Sequence, residues 1–240
     1  MSEKSNQFAS FEIIEGISVI KIDDGKANAL SLPMQQAINS AIDEAEKLKQ
    51  PLVLTGRSGI LSAGFDLKTL AAGGPPAVEM LNGGINLALR LLSFSSPVIV
   101  ACPGHAIAMG VFLLQSCDYR IGVAGNFKYV ANEVAIGMTM PFSTIEILRQ
   151  RLTPAALSRA VLLAETFTPQ NGVETGFVDR VVSTEAELMP AAIEFAKSIA
   201  TLNAAAHSSS KLRLRSGALA SIRDGLVKDN EGWKKLFLTS

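Results

Sequence analysis

Across its 240 residues the sequence contains two cysteines, two histidines and one tryptophan, and its charges cancel. Each scarcity closes off a class of function. Two thiols, Cys102 and Cys117, cannot build the dense disulfide framework of a small secreted domain, and both lie in apolar, core-like segments. They read as reduced, buried side chains rather than as a disulfide or a nucleophile. His105 and His207 have no second histidine or acid at ligand spacing, so no metal is expected; His105 reads as a turn residue and His207 as helix surface. Twenty-two basic residues against twenty-two acidic ones give a formal charge of +0 and a sequence pI near 6.7. A nucleic-acid partner would require a basic excess that is missing here. No apolar run reaches the roughly 18 residues that span a bilayer, so no membrane partner is expected. The first seven residues are too polar for a signal peptide and Phe237 to Ser240 form no peroxisomal address, which makes the cytoplasm the expected location. A phosphate-binding glycine motif with its lysine and serine is also absent, which argues against a nucleotide-dependent enzyme.

What is present is a chain with 48% hydrophobic side chains, enough for one large core. Its apolar pattern alternates between short strand-like runs and longer helix-like ones. Phe11 to Ile14 and Ile17 to Ile22 predict a hairpin around Glu15-Gly16, and Ser31 with Pro33 opens an amphipathic helix through Met34, Ile38, Ile42 and Ala45. A strand follows at Leu52. After a loop from Ala71 to Pro76, Val78, Leu81, Ile85, Leu89 and Leu92 predict a second helix that leads to a strand at Val98. The fold class is therefore α/β, with strand, turn and helix recurring but no sequence repeat of fixed period. From about Ala191 the character changes to helical spacing at Ile193, Ala196, Ile199 and Leu202, then to the basic stretch Lys211-Leu212-Arg213-Leu214-Arg215. Beyond Ala205 the apolar positions are too few for an independent core, so the chain is divided at 195/196 into a core and a C-terminal helical region.

Glu133 is the residue with most to say about chemistry. Between Ile121 and Ile145 the only ionisable side chains are Lys128, Tyr129 and Glu133, and Val134, Ala135 and Ile136 follow directly. A carboxylate left unpaired among apolar groups has its pKa pushed toward the range of a general base near neutral pH. The residues alone leave a plainer alternative open, in which Glu133 caps a turn or pairs with Lys128 or Arg149. Two further segments, Leu61-Ser62-Ala63-Gly64-Phe65-Asp66-Leu67 and Pro103-Gly104-His105-Ala106-Ile107-Ala108-Met109-Gly110, each follow an apolar strand and lead into a helix. Such small-residue turns leave backbone N–H groups free to hold an anion, or serve tight packing only. Asp118 reads as a residue ordering a turn, and Asp66 either lines a channel or complements a helix N-terminus.

Taken together and in this order, these segments resemble the enoyl-CoA hydratase/isomerase (crotonase) family. Lys26-Ala27-Asn28-Ala29-Leu30, Ser62 to Leu67, Ser96-Pro97-Val98-Ile99-Val100, Ser116 to Ile121, Asn132-Glu133 with Gly137 and Pro141, and Gly176-Phe177-Val178-Asp179 carry the likeness. It covers nearly the whole chain from about Phe11. It implies a spiral of β-β-α units over residues 1–195, with 196–240 as an oligomerisation region of a homotrimer or hexamer. It also implies an acyl-CoA thioester as substrate and no separate cofactor. The thioester oxygen would be held by backbone N–H groups of Ala63 and Met109, and the substrate would contact Lys26, Ala27, Ala29, Ala63, Gly64, Phe65, Asp66, Leu67, Gly110 and Phe112. Where relatives have consecutive glycines this chain has Ala108 and Met109, and the methionine side chain is expected to narrow the acyl pocket.

Hydratases of the family carry two glutamates, and the first of those positions is Phe112 here. With Glu133 as the single mapped acid, the chain looks like the mitochondrial-type delta-isomerases, which shift 3-enoyl-CoA to trans-2-enoyl-CoA in fatty acid β-oxidation. The alternatives are an enoyl-CoA hydratase or other crotonase-family reaction, and an acyl-CoA-binding pseudoenzyme. Phe65, Met109, Phe112, Met138 and Phe142 are expected to fix acyl length, and Glu146 is a distant carboxylate that could fold toward Glu133. The basic helix would either contact CoA phosphates or present solvated charge.

Overall fold

A computed structural model describes residues 4, 5 and 8–238. The chain opens with strands β1 (Lys4–Ser5), β2 (Ala9–Ile14) and β3 (Ile17–Ile22). Ile14 pairs with Ile17 across Glu15 (φ 49°) and Gly16 (φ 82°), two consecutive left-handed residues that make the tight turn whose twist matches a hairpin. Helix α1 (Leu32–Leu48) begins where Ser31 Oγ accepts the Met34 amide and proline occupies the first turn.

The middle of the chain repeats a strand, a second strand and helix. β4 (Leu52–Thr55) and β5 (Gly59–Ser62) lead to α2 (Leu67–Ala72) and α3 (Gly74–Ser93); β6 (Val98–Cys102) and β7 (Gly104–Ile107) lead to α4 (Met109–Gln115). β8 (Tyr119–Val123) and β9 (Tyr129–Val130) then lead to α5 (Phe142–Arg149), α6 (Pro154–Leu163) and α7 (Pro169–Thr175). β10 (Arg180–Val182), α8 (Glu185–Ile199) and α9 (Ala204–Leu238) complete the described chain. One sheet has the order β1-β2-β3-β4-β6-β8-β10, antiparallel from β1 to β3 and parallel from β3 to β10, and the second strands of the units form another, β5-β7-β9, parallel throughout. This is the spiral of β-β-α units, and it stacks the ends of β5, β7 and β9, where the three segments singled out above lie.

Alternation along the larger sheet separates two apolar layers. Ile20, Ile22, Leu52, Leu54, Val98, Val100 and Cys102 face the main core with α1, α3 and α4. Ile17, Val19, Val53, Ile99, Ala101 and Ile121 face the opposite way, against Leu188, Ala192 and Ala196 of α8. At the sheet edge the Asp179 carboxylate takes two parallel bonds from Arg120, 2.9 and 2.8 Å, so the Gly176 to Asp179 motif fastens β10 beside β8.

Three expectations change. Gly74-Pro75-Pro76 belongs to the first turn of α3 and not to a loop, because a first-turn proline gives up only an N–H that has no partner there anyway. His105 lies in β7, where Nδ1 accepts the Lys128 amide at 3.0 Å, and not in a turn. The division at 195/196 falls within α8; the break between the last two helices is at 200–203, and α9 packs along α3 and α5 of the same chain. No described helix is long and apolar enough to cross a membrane.

Candidate active site

The loop before α1 and the turn after β5 are knitted into one platform. The Asp24 carboxylate accepts the amides of Lys26, Asn28 and Ala29 at 2.7 to 2.9 Å. Partial burial opposes its ionisation, but these amides outweigh that and hold the carboxyl below its ordinary pKa. They also fix Asn28 in a left-handed conformation, φ 51°, from which Nδ2 reaches the carbonyls of Ile22 and Leu61, both at 3.0 Å. Ser62 Oγ donates to Asn28 O (2.7 Å) and accepts from the Gly64 amide (3.1 Å), and Leu30 N donates to Gly64 O.

In the same weave the Ala63 amide donates to Ala27 O at 2.9 Å. That bond overturns the assignment of Ala63 as an oxyanion donor, because its N–H is already committed. The next amide able to serve is Phe65, which has no partner among the described residues, and neither has that of Met109. Gly64 places them together. A Cβ on Gly64 would lie 3.3 Å from Met109 N and 2.8 Å from Ala108 Cβ, and its φ of +95° disfavours any other residue. Phe65 and Met109 thus flank the contact between the two turns.

The second turn is strained. Ala108, just before α4, has φ 49° and ψ −122°, a region natural to glycine, and persists because its amide bonds Val130 O (2.8 Å) while its carbonyl accepts Val111 N (2.9 Å). The Met109 side chain does not narrow the pocket. It is fully buried, with Sδ against Gly84 of α3, and the Phe65 ring packs at the same glycine.

Glu133 sits between β9 and a single 3-10 turn, Val134–Ile136, which Gly137 ends at φ 80°. Its carbonyl accepts the amides of Ile136 (3.1 Å) and Met138 (2.8 Å), which fixes the backbone. The residue is 7% exposed and Oε2 is buried without a partner among the described residues. Burial raises the carboxyl to about 7, with the residue's own amide pulling weakly the other way. Neither Lys128 nor Arg149 pairs with it; Arg149 bonds Glu146 at 3.1 Å, so Glu146 does not fold toward Glu133 either.

A cavity of about 160 Å³ joins these parts. Ala63, Phe65, Ala108 and Phe112 line it on the turn side, Asn132, Glu133 and Met138 on the β9 side, and Leu67, Leu70, Leu81 and Ile85 on the α2–α3 side. Glu133 is its one carboxylate. Of the other expected contacts, Lys26, Ala27 and Ala29 belong to the adjoining platform, Gly64 and Gly110 serve close packing, and Asp66 caps α2 by accepting Thr69 N (2.9 Å) and Oγ1 (2.7 Å). The Thr69 hydroxyl and amide keep the Asp66 carboxyl below its usual pKa. Phe142 is exposed, with the Lys228 ammonium 5.3 Å from its ring, and lines no part of the cavity.

Several lining residues, among them Leu70, Ile136 and Thr144, are not candidates in the sequence, and two of the others matter most. Asn132 carries a buried Oδ1 without a partner beside the base, a signal visible only as its adjacency to Glu133. Trp233 arrives from α9, for which the sequence gives no hint of proximity. One stripe of α9 is buried, Lys211, Arg215, Leu219, Ile222, Gly225, Asp229 and Trp233, spaced three or four apart. Lys211 and Arg215 are therefore neither solvated nor available to phosphates. Lys211 Nζ and Arg215 Nη1 meet the Asp118 carboxylate at 2.7 and 2.8 Å, and Asp118 also accepts Val98 N, so it anchors a helix rather than merely ordering a turn. Burial lowers the Lys211 pKa, with Asp118 opposing the shift.

Known proteins match this chain in sequence and in fold. The family model described as enoyl-CoA hydratase/isomerase matches residues 12–225. An apo enoyl-CoA isomerase structure from Mycobacterium tuberculosis is 46% identical, covering 91% of this chain and 95% of that one, with a TM-score of 0.87. An enoyl-CoA hydratase from Mycobacterium marinum is 44% identical, covering 95% and 99%, with a TM-score of 0.88. Among curated proteins, a carnitinyl-CoA dehydratase of Salmonella enteritidis is 29% identical over 95% of this chain and 89% of its own.

Proposed function

The chain belongs to the enoyl-CoA hydratase/isomerase family, and within it we propose that this protein is a delta-isomerase converting 3-enoyl-CoA to trans-2-enoyl-CoA. The observation that carries the reading is that Glu133 is the single carboxylate lining the cavity, and Phe112, at the position where the resemblance puts a hydratase's other glutamate, lines it too. Ionised Glu133 takes a proton from C2, the C2–H electron pair moves into the C1–C2 bond, and negative charge develops on the thioester oxygen. The amides of Phe65 and Met109 stabilise that dienolate, each by about 3 kcal/mol if they act like other oxyanion donors. The same carboxyl returns the proton to C4, so the double bond ends between C2 and C3 and nothing is gained or lost. An apolar cavity suits this shuttle, since it excludes competing proton donors and holds Glu133 near a pKa of 7.

Hydration is the second reading, favoured by the unpartnered Asn132 Oδ1, which could hold a water beside Glu133. One paired assay separates the readings. The purified protein is given 3-hexenoyl-CoA and crotonyl-CoA, and conversion of the first with little hydration of the second is expected. The reverse ranking replaces isomerase by hydratase, and binding of both without turnover leaves a non-catalytic acyl-CoA binder. We also propose a homotrimer or hexamer, to be measured by light scattering; a monomer at micromolar concentration removes that proposal.

A further inference from the structure

The only tryptophan of the sequence lies in the wall of the acyl cavity. α9 presents it from a tightly held position. One turn before it, Asp229 accepts the amides of Phe142 (2.8 Å) and Ser143 (2.9 Å) and the Ser143 hydroxyl (2.6 Å). Asn230 Oδ1 accepts Asn82 Nδ2 of α3 at 2.8 Å. One turn after it, the Phe237 ring lies within contact distance of Gly73, between α2 and α3. Asn82 and Gly73 belong to α3 and its junction with α2, so these contacts set α9 against α3 where Trp233 lines the cavity together with Leu70 and Leu81. Trp233 as a whole is 7% exposed, its indole is bulky and rigid, and the bonds at Asp229 and Asn230 hold its helix in place.

We propose that Trp233 closes the acyl compartment on the α2–α3 side and so restricts this protein to short and medium acyl groups. The proposal rests on the acyl-thioester reading of the site and adds the substrate class. A longer chain would have to displace the indole, and with it contacts that hold α9 to α3 and α5. Truncating the indole opens space continuous with the present cavity, and the α9 clamps at Asp229 and Asn230 remain. The wall and Glu133 come from the same chain.

The test compares dissociation constants for butyryl-, octanoyl- and dodecanoyl-CoA by calorimetry, and kcat/KM for the matching 3-enoyl thioesters, in the wild type, Trp233→Ala and Leu81→Phe. The wild type should lose affinity sharply between the eight- and twelve-carbon chains. Trp233→Ala should raise the ratio of twelve- to four-carbon binding by tenfold or more, in line with the 10–200-fold effect of about one methylene in a fitted pocket. Leu81→Phe, which narrows the same wall, should move the cutoff to shorter chains, and keeps the test decisive if the alanine variant fails to fold. A cutoff that ignores both substitutions overturns the proposal. Saturated thioesters need no turnover, so a cutoff that moves without any isomerisation removes the isomerase reading and leaves this one standing. Isomerisation with a fixed cutoff does the opposite.

Discussion

Asp229 binds Ser143 twice, through the amide at 2.9 Å and the hydroxyl at 2.6 Å, across 86 residues of sequence. α5 has no side-chain cap of its own, since Pro141 precedes it, and the carboxylate of α9 supplies the missing acceptor at its positive end. Gly225 permits the approach, because a Cβ there would come within 2.8 Å of Ser143 N.

Asp229→Ala should therefore loosen two helices at once. Leaving these amides without an acceptor costs about 3 kcal/mol, which lowers Tm by roughly 6–12 °C for a chain of this size. A thermal melt within 1 °C of wild type would show that the contact carries no load.

Glu133→Gln should reduce turnover by several orders of magnitude while acyl-CoA affinity is largely kept, measured by steady-state kinetics and calorimetry. In the wild type the working base is the ionised form, so kcat/KM should fall as pH drops below about 7. A profile flat from pH 5.5 to 8.5 would remove Glu133 as the base.

The same substitution should stabilise the fold, in a pH-dependent way. The carboxyl moves from its ordinary 4.5 to about 7 on folding. Between those values the unfolded chain has released a proton that the folded chain keeps, so wild-type stability falls as pH rises through this window. Above it the penalty is complete, about 3 kcal/mol from the shift. Denaturation of Glu133→Gln against wild type should show no gain near pH 4.5 and that gain near pH 8; a constant difference would mean the charge is not the cause.

Ala108→Gly should relax the strained turn. A non-glycine residue at φ 49°, ψ −122° costs about 1–3 kcal/mol, partly offset by the added freedom glycine gives the unfolded chain. A net gain of about 1 kcal/mol in chemical denaturation at unchanged m is expected. Loss of stability would mean that the methyl's packing at Gly64 outweighs the strain.

Asp118→Asn should cost about 3–5 kcal/mol, because Lys211 and Arg215 would remain buried with no carboxylate between them. Urea midpoints measure this directly, and a shift below 1 kcal/mol would mean that the cluster is hydrated.

The local pattern made much of this readable beforehand. The hairpin at Glu15-Gly16, the Ser31 cap, the strands at Leu52 and Val98 and the isolation of Glu133 all follow from neighbours in sequence. What stayed hidden depends on partners far along the chain. Ala63 loses its amide to Ala27, Met109 turns into the core onto Gly84, and Lys211 and Arg215 find Asp118. A basic helix looks solvated until the carboxylate that buries it is known, and an isolated tryptophan near a chain end gives no sign of the cavity it faces.

Cys102 and Cys117 are sealed in the interior, and burial pushes both thiols up to about 12. Neither is nucleophilic nor reachable while the fold is intact. An alkylating reagent can modify them only during the moments when β6 or the turn between α4 and β8 parts from the core, so the chain carries two internal clocks whose labelling rates time that breathing without an engineered cysteine.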